Sequence, residues 1–185
     1  ARGQMDLDKP RLEKLAMFCG VPKDYCISAP DVQSIYQIPL KLEDQSVGNK
    51  LLKRLGLKAR NGDMGKWQDF VSRILNSKQE VRIAVVGKYF GTGDFTLSDS
   101  YHSVIEAIKH AAWYHQAKPR LDWIDSEEYE KNHPALRKLL DYDGIIVPGG
   151  FGSRGIEGII KAIQFVRENK IPYLGLCYGL QLAVV

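Results

Sequence analysis

Gly144-Ile145-Ile146-Val147-Pro148-Gly149-Gly150-Phe151-Gly152-Ser153-Arg154-Gly155 is a short apolar run that breaks on proline and glycine and gives way to a helical segment over 155–169. The run reads as a strand, and the same grammar extends outward on both sides. Upstream, Arg82-Ile83-Ala84-Val85-Val86 is a buried strand by composition, followed by a Gly-containing loop over 87–100. Val104, Ile105, Ile108, Ala111 and Ala112 then share one face of a helix predicted over 101–115. Residues 120–125 alternate as a second strand and 127–140 are mostly helical, while downstream Tyr173-Leu174-Gly175-Leu176 is a further strand. Strands alternating with amphipathic helices predict an α/β fold, an open and mostly parallel sheet with helices on both faces.

The first 75 residues are of a different kind. Asp8 is a natural cap for a helix carrying Pro10 in its first turn, and Leu12, Leu15, Ala16 and Cys19 recur at helical spacing until Gly20, which predicts Cys19 in the core. A second helix is expected from an Asp31 N-cap to a stop at Pro39, a third over 50–55 and a fourth over 66–75. The polar stretch 76–80 reads as a linker, giving a helical part over 1–75 and an α/β part over 81–185. The chain opens without Met and stops on Leu182-Ala183-Val184-Val185 inside an uncapped apolar pattern, so it reads as a piece of something longer.

Composition narrows the function. With 44% apolar and 26% charged residues the 185-residue chain is of the globular type. Residues 1–75 hold 13 basic and 9 acidic side chains and 76–185 hold 13 of each. A mildly basic first part suits anionic ligands such as nucleotides, but no dense Lys/Arg block argues for a nucleic-acid surface. No apolar run approaches the roughly 20 residues needed to cross a bilayer, and the N-terminus has no signal-peptide core. Cys19, Cys26 and Cys177 form no disulfide framework and no CxxC pair, which points to free thiols in a reducing cytoplasm.

Chemistry concentrates at Gly175-Leu176-Cys177-Tyr178-Gly179, where a strand runs into a Gly-x-Cys-x-Gly turn that opens a helix. Such a corner exposes a nucleophile between small neighbours, frees the next backbone amide for an oxyanion, and favours a thiolate at the helix start. The rival reading makes Cys177 a small buried hydrophobe. In the second glycine turn, Gly150, Gly152 and Gly155 match GxGxxG, but the next strand has no acidic residue at its end to hold a ribose. The alternative is that Gly149 and Gly150 present N–H groups at the carboxyl edge of the sheet, within reach of an oxyanion formed by Cys177. A tight turn without function is the remaining possibility. His102, His110 and His115 on one helix and His133 in a loop lack metal-binding or catalytic spacing, and no metal-ligand set is expected in this chain.

Residues 147–158 and 172–181 together resemble the class I, triad-type glutamine amidotransferase family, and Phe151, Arg154 and Glu157 resemble the form of that domain found in the CTP synthase family. Residues 18–21, 27–39, 86–89 and 99–110 agree, so the resemblance covers nearly the whole chain in order. It implies a flavodoxin-like amidotransferase fold over 81–185, truncated to its first half, and the tail of an amidoligase (synthetase) domain over 1–75.

The resemblance further implies an enzyme that hydrolyses L-glutamine and uses ATP and Mg²⁺ to aminate UTP to CTP. GTP is the expected activator, and a homo-oligomer, a tetramer, is expected because nucleotide sites of the family form between subunits. By the same resemblance Cys177 is the nucleophile, Gly150 falls at the glutamine and oxyanion site, and Tyr178, Gly179, Leu180 and Gln181 supply further glutamine contacts. Lys14 falls where a lysine meets the UTP or CTP nucleotide, and Pro30, Asp31 and Val32 where the ATP adenine is held. Tyr178 stands where the bacterial pattern often has Leu. The P-loop-like, Mg-binding start of the amidoligase domain and the His and Glu of the triad, downstream of the cysteine in this family, are missing. The chain alone is therefore expected to turn over little glutamine. Two alternatives are a non-catalytic α/β nucleotide-binding module and another class I amidotransferase.

Overall fold

The computed structural model describes residues 1–60, 62–88, 101–150 and 152–185. Most of the expected loop over 87–100, together with Tyr89, Asp99, Ser100 and Phe151 of the family-like stretches, lies outside the described residues. The chain divides into two compact units, Ala1–Leu75 and Asn76–Val185.

In the first unit, β1 (Arg2–Gly3) pairs in parallel with β2 (Ala29–Pro30). Helix α1 (Lys9–Cys19) starts where the Asp8 carboxylate accepts from the Arg11 N–H at 2.9 Å, and it stops at Gly20 in the left-handed region (φ 63°). It buries none of its residues, and Cys19 is exposed, contrary to expectation. Helical spacing tells which side chains share a face, not whether anything covers that face.

The segment after β2 also differs. Asp31 is no cap; its carboxylate accepts from the Arg2 Nε at 3.1 Å. Ser34 and Gln37 instead form a capping box around a 3₁₀ turn, Ile35–Gln37, which leads into α2 (Ile38–Asp44). Pro39 thus opens a helix rather than ending one, because the first turn needs no N–H from it. Helices α3 (Val47–Arg54) and α4 (Gly65–Asn76) follow. The Tyr36, Trp67 and Phe70 rings pack at 5.2–6.0 Å, and the Trp67 Nε1 donates to the Tyr36 carbonyl.

Among the described residues of the second unit four strands form one parallel sheet in the order β4-β3-β5-β6: β3 (Gln79–Gly87), β4 (Ala117–Asp125), β5 (Gly144–Val147) and β6 (Tyr173–Gly175). The polar stretch is a shorter linker than expected, because Gln79 and Glu80 already pair with Ala117 and Lys118. Pro119, which has no N–H to donate, is accommodated because β4 lies at the sheet edge. In chain order the arrangement is 2-1-3-4, the flavodoxin-like winding.

Alternate side chains of the strands face opposite layers. Ala84, Val86, Ile145 and Val147 form a core with Tyr129 of α6 (Glu127–Lys131), Leu136 and Leu139 of the 3₁₀ segment His133–Asp141, Ile159, Ala162, Ile163 and Val166 of α7 (Ile156–Glu168), and Leu182 of α8 (Tyr178–Leu182). On the other face Val85 packs with Tyr101 and with Val104 and Ile108 of α5 (His102–Tyr114). This apolar burial, worth about 25 cal/mol per Å², holds the ends of β3, β5 and β6 side by side.

Candidate functional site

The carboxyl ends of β3, β5 and β6 carry Lys88, the Gly149-Gly150 turn and Cys177. In parallel α/β sheets this edge, at the point where strand order reverses, is where ligands bind.

Cys177 joins β6 to α8 with φ 52° and ψ −105°, a conformation that L side chains rarely adopt. The turn is held by the Leu176 N–H on the Val147 carbonyl, the Gly179 N–H on the Leu176 carbonyl and the Tyr173 hydroxyl on the Gly179 carbonyl, at 2.7–3.0 Å. Both glycines are demanded by close approach. A Cβ on Gly175 would lie 2.6 Å from the Gly179 carbonyl carbon, and one on Gly179 would lie 2.9 Å from the Val147 side chain. The sequence Gly-x-Cys-x-Gly is therefore the local condition for pressing α8 onto β5 while turning the cysteine outward. Its thiol is exposed, whereas Cys26 is buried and Cys19 is exposed on an ordinary helix end.

The structure brings Gly149 to this thiol: a Cβ built on Gly149 would stand 3.6 Å from the Cys177 Cβ and 4.0 Å from its Sγ. Gly149 and Gly150 are half-buried, as is Tyr178, and Gly179 is buried. Leu180 and Gln181 are exposed on α8. At the start of α8 the Gly179 N–H is taken by the Leu176 carbonyl, whereas the Tyr178 N–H has no intrahelical acceptor and is available to an anion.

Two side chains without a role in the sequence reading hold the glycine turn. Lys88 is buried and donates its Nζ to the Gly152 carbonyl at 2.6 Å, with the Tyr178 ring 5.0 Å away. Desolvation draws its pKa below the ordinary lysine value, against a smaller upward effect of Glu130. Tyr101, buried against Val85 and stacked on Trp123 with centroids 6.3 Å apart, donates its hydroxyl to the Gly149 carbonyl at 3.2 Å. The available sequence signal was position: Lys88 directly follows a buried strand, at the edge where ligands collect. The histidines lie elsewhere, three on or at the end of α5 and His133 at the start of the 3₁₀ segment.

In the first unit Pro30, Asp31 and Val32 line a cleft of about 470 Å³ with Gln33, Gln37 and Lys41, and a second of about 450 Å³ with Arg2, Ile35 and Ile38. Lys14 lines neither; it is exposed on α1 with its Nζ 6.0 Å from the Phe18 ring. Among the described residues no group of three or more His, Cys, Asp or Glu side chains comes together. No helix among them is long and apolar enough to cross a membrane.

A flavodoxin-like sheet with a strained cysteine corner facing a glycine turn defines the architecture of a class I glutamine amidotransferase domain. The family described as Glutamine amidotransferase class-I matches residues 96–185, and CTP synthase N-terminus matches residues 1–57. Along its whole length the chain is similar to members of the CTP synthase family. It is 47% identical over 185 residues to CTP synthase of Carboxydothermus hydrogenoformans and 45% identical over 185 residues to that of Sulfolobus acidocaldarius, covering all of this chain and 34% of each relative. It thus spans about a third of their length. The solved glutaminase domain of Trypanosoma brucei CTPS with bound acivicin is 43% identical, covering 57% of this chain and 39% of that one, with a TM-score of 0.51. These matches do not favour the reading of Gly150, Gly152 and Gly155 as the turn of a non-catalytic nucleotide-binding module.

Proposed function

We propose that this chain is the part of a glutamine-hydrolysing CTP synthase that joins the end of the synthetase domain, residues 1–75, to the first half of the glutaminase domain. The Cys177 thiolate attacks the carboxamide carbon of L-glutamine, and the carbonyl π pair moves onto oxygen. The N–H groups of Gly150 and Tyr178 receive that oxyanion, and Gly149, Gly179, Leu180 and Gln181 shape the substrate site. Collapse restores the C=O bond and expels the nitrogen, protonated to ammonia, leaving a glutamyl thioester that water hydrolyses to glutamate. An imidazole base oriented by a carboxylate serves the proton transfers and comes from outside these residues. The chain alone therefore turns over little glutamine.

Ammonia is then used to aminate UTP to CTP at the expense of ATP, with Mg²⁺ bound elsewhere in the enzyme. Lys14 contributes a point charge for the UTP or CTP nucleotide, Pro30-Asp31-Val32 border the adenine cleft, and GTP activates. The full-length enzyme is a cytoplasmic homo-oligomer, a tetramer by family pattern. The observation that carries the reading is the exposed Cys177 thiol at a strained corner against Gly149.

The test is a diazoketone analogue of glutamine with mass mapping of the adduct. Cys177 is expected to label ahead of Cys19, which is also exposed. Equal labelling of Cys19 and Cys177 in the folded protein defeats the proposal.

A further inference from the structure

We infer that Tyr101 and Lys88 are positioning residues that aim the oxyanion-binding amide of the glycine turn, an inference that rests on the glutaminase reading above. The Gly149 carbonyl and the Gly150 N–H belong to one planar trans peptide and so point in opposite directions. When the Tyr101 hydroxyl holds that carbonyl at 3.2 Å, it directs the Gly150 N–H away from itself. The tyrosine is well placed to hold still: it is buried, stacked on Trp123 and packed on Val85 of the central strand. Lys88 performs the same service at the far side of the turn, with its Nζ 2.6 Å from the Gly152 carbonyl. The two clamps fall on either side of Gly150 in the chain and come from different elements, the end of β3 and the entry to α5. Glycines impose little conformation of their own, so a turn built of them needs outside restraint before it can present a preorganised donor.

Neither side chain has to touch substrate for this role, and that separates it from ordinary binding contacts. A correctly aimed N–H matters when negative charge develops on oxygen, so the loss falls on kcat and on tetrahedral adducts and spares ground-state binding.

The experiment compares Tyr101→Phe with the wild-type full-length enzyme. The substitution removes one hydroxyl and keeps the ring. Glutaminase kcat should fall about 10- to 100-fold, less than the ~10²–10³-fold for deleting a donor outright, with KM for glutamine within about twofold. The γ-aldehyde analogue of glutamine, to which the thiolate adds with the carbonyl pair moving to oxygen, should lose affinity by a similar factor. Alkylation of Cys177 by iodoacetamide, a displacement of iodide that forms no oxyanion, should stay within about twofold. An unchanged kcat overturns the inference, and so does a parallel loss of kcat, glutamine binding and iodoacetamide rate, which marks general disruption.

If Tyr101→Phe melts early, Lys88→Met carries the same test, with partial recovery in Lys88→Arg; wild-type turnover in Lys88→Met overturns the clamp. Persistent glutaminase activity in Cys177→Ala instead defeats the underlying glutaminase reading. The two failures are thus distinct.

Discussion

A carbon added to Gly179 would lie 2.9 Å from the side chain of Val147, so the backbone of the helix after the cysteine rests directly on the third strand of the sheet. This contact, with the Leu176 N–H on the Val147 carbonyl, sets the height at which the thiol stands above the sheet edge.

Gly179→Ala is accordingly expected to destabilise the second unit by about 1–3 kcal/mol through overpacking, since backbone as well as side-chain atoms oppose the methyl group. Gly48→Ala is the control. It sits in α3 with nothing within 4 Å of the added carbon, and should gain about 0.5 kcal/mol from helix propensity. Urea melts followed by circular dichroism compare the two, and a neutral Gly179→Ala would contradict the close contact.

Cys177→Ala in the full-length enzyme should abolish glutamine-dependent CTP formation, by about 10³-fold or more as for other lost nucleophiles, yet leave the reaction intact when ammonium is supplied. The physical reason is that added ammonia bypasses the carboxamide attack altogether. Assays with each nitrogen source decide it, and loss of both reactions would place Cys177 in structure rather than in catalysis.

Ser126 is fully buried beneath Gly155, and its hydroxyl has no hydrogen-bond partner among the described residues. An unsatisfied buried donor costs about 1–3 kcal/mol, so Ser126→Ala should be neutral or stabilising by about 1 kcal/mol. A drop in melting temperature of several degrees would show that the hydroxyl is bonded in solution.

Burial pushes the Tyr173 phenol up to about 12, above an unfolded value near 10. Because the folded pKa is the higher one, the unfolded chain loses its proton first as pH rises. The associated stability is present in full below about pH 10 and is lost progressively toward pH 12. Tyr129 is shifted in the same direction, by burial first and then by Glu128. Chemical denaturation at pH 9, 10 and 11 should show this decline, and Tyr173→Phe should flatten it; an identical slope in the variant counts against the assignment.

The elbow was legible because its requirement is local. Glycine on both sides of a cysteine, after a strand and before a helix, is the condition for a close-packed corner, and Gly175 and Gly179 are used in that way. The alternation of elements between residues 79 and 182 was legible for a similar reason, since strand and helix periods are properties of a few consecutive residues. Where coverage mattered, reading failed. Cys19 shares a helical face with Leu12 and Leu15, yet that face buries nothing, and Pro39, taken for a stop, opens a helix.

What the amino-acid order determined by itself is therefore the parallel α/β grammar, the capped first helix and the corner that carries Cys177, each the outcome of short-range sterics and hydrophobic period. What only the tertiary structure decided is which groups meet there. Lys88 and Tyr101 reach the glycine turn from 64 and 48 residues away along the chain. No local pattern encodes such a meeting. It depends on strand order, which places β3 beside β5, and on the burial that holds their ends at one edge.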